Sequence, residues 1–105
     1  MARSYLKFNN SIVSKLSDSD ASLSFLNDAL KQYERNHDMS SLMISLRYLA
    51  EAQGGITKFA KRTGMNRQNL YKVLTGKAMP KFETVLTIIN GLGFAVVGVP
   101  HNQVS

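Results

Sequence analysis

Apolar residues recur every three to four positions along most of this chain, the spacing of one face of an α-helix. Leu23, Leu26 and Leu30, with Phe25, Ala29 and Tyr33, predict a helix that begins after Asp20 and fades near residues 36–38. Asp18 or Asp20 supplies the oxygen that accepts from the free N–H groups of its first turn. Leu42, Leu46, Leu49 and Ala50, widened by Met43 and Ile44, predict a second helix from Ser40 or Ser41, stopped by Gly54-Gly55. Residues 56–63 and 67–75 read as two short helices, and 76–79 as a loop. Pro80 presets the backbone for a last helix carrying Phe82, Val85, Leu86, Ile89 and Leu92, closed by Gly91 and Gly93. Residues 94–99, rich in valine, read as one β-strand ended by Pro100. Near the start, Ser11 caps a short helix with Ile12, Val13 and Leu16, and Tyr5 and Phe8 pack ahead of it. The pattern is all-α. It comprises an N-terminal helical extension over 1–38, a helical domain over 39–93 and a C-terminal strand and tail over 94–105, together one compact unit.

The segment 56–76 carries the strongest local signal. With Ile56 as its first residue, Ala60 falls fifth, inside the angle of two helices where a larger side chain would force them apart. Gly64 falls ninth, where a sharp turn needs a positive φ. Phe59 anchors the first helix; Met65, Leu70 and Val73 anchor the second, which Asn66 caps. That is the layout of a helix-turn-helix, which places its second helix in the major groove of DNA. With Leu70, Val73 and Leu74 turned inward, Arg67, Gln68, Tyr71, Lys72 and Thr75 are left as candidate base readers. Arg pairs bidentately with guanine and Gln with adenine. Thr57, Lys58, Lys61, Asn66, Asn69, Lys77 and Lys81 are the candidate phosphate contacts.

Charge sharpens this picture. Between Ala52 and Phe82 there is no Asp or Glu, and Lys58, Lys61, Arg62, Arg67, Lys72, Lys77 and Lys81 all fall there. These seven cations exceed the net charge of +6, so the rest of the chain holds 6 cations against 7 anions. A cationic excess confined to one segment points to a polyanion. With no cysteine there is neither a disulfide framework nor a thiolate metal site. His37 and His101 are isolated, and neither a carboxylate pair nor a phosphate-binding glycine loop occurs, so an enzyme is the poorest reading and no metal or cofactor is expected. The N-terminus lacks an apolar core of signal-peptide length and residues 94–99 are too few to span a bilayer, so a cytoplasmic protein without membrane contact is expected.

Residues 41–94, with LRYLAEAQGGI, the Leu70-Tyr71 pair of the second helix and KFETVLTIINGLGF, resemble the Xre-type, λ repressor-like helix-turn-helix family. More narrowly they resemble its HigA-type addiction-module antidote proteins, the antitoxins of RelE-like ribonuclease toxins. The resemblance implies a five-helix DNA-binding domain, a homodimer, binding to double-stranded operator DNA, repression of its own operon and neutralisation of a toxin. One position departs. Many Xre domains begin the motif's first helix with a glutamine that clamps a phosphate; here Ile56 stands there, with Thr57 next.

One motif contacts few bases, and a two-fold dimer spans half-sites roughly 34 Å apart. The strand over 94–99 has no evident partner in the chain, so Phe94, Val96, Val97 and Val99 are expected in the dimer interface; packing of the tail on its own helices is the alternative. For a toxin, the candidate surfaces are Tyr5, Leu6 and Phe8, or the helix at 21–35. Two other functions compete: a stand-alone or prophage regulator without a toxin, and a protein-interaction module that has lost DNA binding. An adjacent toxin-like gene separates the first; the acid-free segment argues against the second.

Overall fold

The computed structural model describes residues 10–103. Among them are six α-helices: α1 (Asn10–Lys15), α2 (Ser19–Asn36), α3 (Met39–Ala52), α4 (Ile56–Thr63), α5 (Arg67–Leu74) and α6 (Phe82–Gly91). A 3-10 turn, His101–Gln103, follows α6. Tyr5, Leu6 and Phe8 lie outside the described residues. None of the described helices is long and apolar enough to cross a membrane.

Short polar side chains start three of the helices. Asp18 Oδ2 accepts from the Ala21 N–H at 3.0 Å and opens α2. Asp38 opens α3 at Met39, ahead of the serines expected to do so. Its Oδ2 accepts from the Ser41 hydroxyl at 2.8 Å and its Oδ1 from the Ser41 N–H at 3.2 Å. Those two bonds favour the ionised form and hold the Asp38 carboxyl below the ordinary carboxylate pKa. Asn66 Oδ1 accepts from the Asn69 N–H at 2.9 Å and opens α5 at Arg67, as its residue type predicts. Between α2 and α3 the chain turns on His37, which closes α2 at a left-handed φ of 55° and donates its N–H to the Tyr33 carbonyl.

One core runs through all six helices, from Leu16 and Leu26 through Leu46 and Leu49 to Leu70, Leu74, Ile88 and Ile89. The apolar stripes are phased differently from expectation at four positions. Leu23 and Ile44 are exposed, and Ser22 lies buried with its hydroxyl bonded to the Leu16 carbonyl. A helical period counted from buried Leu26 turns residue 22 inward and residue 23 to the flank. Phe82, at the first position of α6, is 74% exposed because its stripe continues past the end of the core, while Ile88 is fully buried.

Residues 39–93 hold four helices, α3 to α6, as the apolar spacing predicts, where the family resemblance implies five. The fifth member of the packed body is α2, whose contact with α3 is the most extensive between any two helices. No further α-helix follows α6 among the described residues: Gly93 takes a φ of 101° and the valines and Pro100 beyond it disfavour helix. Nor is the expected strand formed. Residues 94–100 adopt neither helix nor ladder, since a strand needs the backbone of a neighbour and no described residue offers an edge. Phe94 alone is tied down: its N–H donates to the Ile89 carbonyl at 3.2 Å, its carbonyl accepts from Asn90 Nδ2 at 2.8 Å, and its ring packs on the core. Val96, Val97 and Val99 remain exposed.

Gly91 also differs from its expected role. It is the last residue of α6, not its breaker, and it permits a close approach. A Cβ there would stand 2.6 Å from Thr63 Cγ2 and 2.9 Å from Phe59 Cζ, so α6 can lie against α4 only with no side chain at 91.

Candidate nucleic-acid interface

Helices α4 and α5 meet across residues 64–66. Gly64 closes α4 with φ 77° and donates its N–H to the Ala60 carbonyl at 2.9 Å. An L side chain would be strained at that φ. Ala60, buried at the crossing, leaves room for α5 to pack. Leu70 and Leu74 are fully buried and Val73 nearly so, which fixes the rotation of α5 and determines what it presents outward.

Counting 100° per residue from Leu70, Gln68 and Lys72 stand on the outward crest of α5. Arg67 and Tyr71 lie on the flank nearer α3 and α4, where both make contacts. Arg67 Nε donates to Thr57 Oγ1, on α4, at 2.7 Å. Two cations approach the Tyr71 ring: the Arg47 guanidinium is 5.5 Å and the Lys77 ammonium 5.9 Å from its centroid. Asn69 lies on the opposite flank, where it lines an open groove with Met65, Met79 and Lys81. Arg67, Gln68, Asn69, Tyr71 and Lys72 are all exposed. Thr75 is half-buried, caps α5 instead of extending it, and donates its hydroxyl back to the Tyr71 carbonyl at 2.7 Å.

The phosphate candidates divide in the same way. Thr57, Lys58 and Lys61 are exposed on α4. Lys77 joins the Tyr71 flank, while Asn66, Asn69 and Lys81 border the groove on the other side of the crest. Asn66 spends its side-chain oxygen on the α5 cap and keeps its amide donors. The base-reading candidates are thus flanked by phosphate candidates on two sides. An exposed crest with cations on both flanks suits a polyanion that straddles it.

Two cations behave differently from what sequence position implies. Arg62 belongs to the acid-free segment but turns away from this face. Its Nη2 donates to Gln53 Oε1 at 2.8 Å and to the Gly91 carbonyl at 3.1 Å, and its guanidinium lies 5.1 Å from the Phe59 centroid. Gln53 in turn donates to the Leu92 carbonyl at 2.8 Å. Together they cap the C-terminal carbonyls of α6, where a cation also suits the helix dipole. Arg47 was not among the sequence candidates, since it lies outside the segment and pairs locally with Glu51 at 3.8 Å. Only the packing of α3 on α5 brings it to Tyr71.

Comparison with known proteins supplies the family. The family described as "Probable addiction module antidote protein" matches residues 5–100, nearly the whole chain. No curated protein and no solved structure matches it. The chain belongs to that addiction-module antidote family.

Proposed function

We propose that this member of the antidote family is a sequence-specific DNA-binding repressor that acts on its own promoter as a homodimer and neutralises a RelE-like toxin in the cytoplasm. An antitoxin role is supported by the family, described as probable addiction module antidote proteins. The observation that carries the DNA reading is the disposition of α5. Its apolar residues are buried, and Arg67, Gln68, Tyr71 and Lys72 face outward in a segment with no acid. In this reading α4 and α5 form a helix-turn-helix of the Xre type. Arg67, Gln68, Tyr71, Lys72 and Thr75 meet base edges, and Thr57, Lys58, Lys61, Asn66, Asn69, Lys77 and Lys81 meet phosphates.

The homodimer is argued from the tail. Val96, Val97 and Val99 are 46%, 77% and 56% exposed in the irregular segment that follows Phe94. A second copy would cover them and supply the missing strand edge.

Footprinting the purified protein on DNA upstream of its own gene tests the proposal. The expected result is two protected half-sites about one helical turn apart, and a chain truncated after residue 93 should protect them only at much higher concentration. The product of the adjacent gene is expected to co-purify with the protein and to be inhibited by it. No footprint overturns DNA binding; an unaffected truncation overturns the tail interface; an adjacent product that does not bind overturns the proposed toxin.

A further inference from the structure

We infer that Thr57 is a positioning residue for Arg67, setting how that guanidinium meets a base pair. The inference rests on the reading of Arg67 as a base reader. A guanidinium carries five N–H donors in one rigid plane, of which Nε holds one and the two terminal nitrogens hold four. In this structure the Nε donor is already committed to Thr57 Oγ1 at 2.7 Å. An arginine can grip the two acceptors of guanine side-on, through Nε and one terminal nitrogen, or end-on, through both terminal nitrogens. With Nε spent on Thr57, only the end-on grip remains.

The partner is well placed to act as a fixed point. Thr57 is the second residue of α4, next to Ile56, which is buried in the core and pins that turn. The branched Cβ of threonine leaves χ1 two favoured rotamers in a helix, so its hydroxyl has few positions to choose from. An exposed arginine is otherwise free to sample many rotamers, and ordering it on binding costs affinity. The bond across the α4–α5 angle restricts that sampling before DNA arrives. The Thr57 hydroxyl accepts from Arg67 and keeps its own proton. That proton is available to a phosphate oxygen, so a single hydroxyl links the base-reading group to the DNA backbone. Ile56 offers no polar side chain for that role, and Thr57 supplies it one residue later.

The test uses the full chain and a duplex carrying the footprinted promoter site, together with duplexes in which each base pair of one half-site is replaced in turn. Thr57→Val removes the hydroxyl at nearly constant shape and Thr57→Ser retains it. Thr57→Val should lose about tenfold of the discrimination at the single base pair that Arg67→Ala also affects. The slope of log affinity against log salt should not change, because no charge is lost. Thr57→Ser should retain the parent's discrimination. Combined with Arg67→Ala, Thr57→Val should lower discrimination no further, since the two residues act as one unit. The inference is overturned if Thr57→Val weakens every duplex equally, which makes Thr57 a phosphate contact only, or if serine does no better than valine. If Arg67→Ala leaves every base preference intact, or the parent gives no footprint, the reading beneath the inference fails with it.

Discussion

The Arg67→Glu/Lys72→Glu protein is expected to bind its promoter duplex at least about a hundredfold more weakly than the parent while folding normally. Both side chains project from the exposed surface of α5 and neither belongs to the core, so helicity and melting should stay close to the parent's. Each exchange removes a cation and adds an anion, a change of about four charges at the centre of a polyanion contact. The loss should have two parts. Arg67 takes with it a bidentate base contact, worth about 1–3 kcal/mol at one position. Lys72, on the crest, meets a base edge and also carries a charge that attracts every duplex, so its loss should also flatten the salt dependence by about one unit of slope. Binding isotherms at several salt concentrations check both parts. A double variant that bound as the parent does would remove α5 from the interface.

A second large effect is expected in stability. Phe59→Ala should lower the unfolding free energy by about 3–5 kcal/mol, as for other buried phenylalanines cut back to alanine. Against a total of about 5–15 kcal/mol for a domain, that is a substantial fraction. Phe59 is 1% exposed and joins α4 to α6. It lies on α4, its ring edge meets the side-chain-free surface of Gly91 on α6, and the Arg62 guanidinium covers it. Cutting the ring back leaves a cavity that α6 cannot collapse into, since Arg62 and Gln53 hold its C-terminal end. Urea unfolding should give a lower midpoint with an unchanged slope. A loss under about 1 kcal/mol would mean that this part of the core repacks freely.

The turn at 64–66 was legible because its chemistry is local. Gly64 at a positive φ, Asn66 capping α5 and the small Ala60 at the crossing each depend on residues a few positions away. The boundary of α3 was missed for a local reason as well: Asp38 outcompetes the serines after it as the cap. What sequence could not sort was which equivalent-looking residues end on which face. Arg62 and Arg67 lie five positions apart in the same basic segment. One is spent on the α6 carbonyls, and the other is presented outward from α5 beside Thr57. Leu23 and Phe82 fit a helical stripe but lie beyond the reach of the core, and Ser22 is buried in a place that composition would not choose. Arg47 joins Tyr71 only through packing between helices far apart in sequence. The tail illustrates the same point for a strand: valines at 96, 97 and 99 favour extended backbone, yet a ladder requires an edge that the described residues do not contain.

The exposed face of α5, with the cations beside it, is the surface proposed to meet DNA. The most direct measurement is an NMR titration of the isotope-labelled protein with the promoter duplex, following backbone amides and side-chain N–H groups. The shifts are expected to concentrate on Thr57, Lys58, Lys61, residues 66–72, Lys77 and Lys81, with the Arg67 guanidinium signals among the largest, and to leave α2 unchanged. Shifts that concentrate on α2, or on none of these residues at saturating duplex, would contradict that proposal.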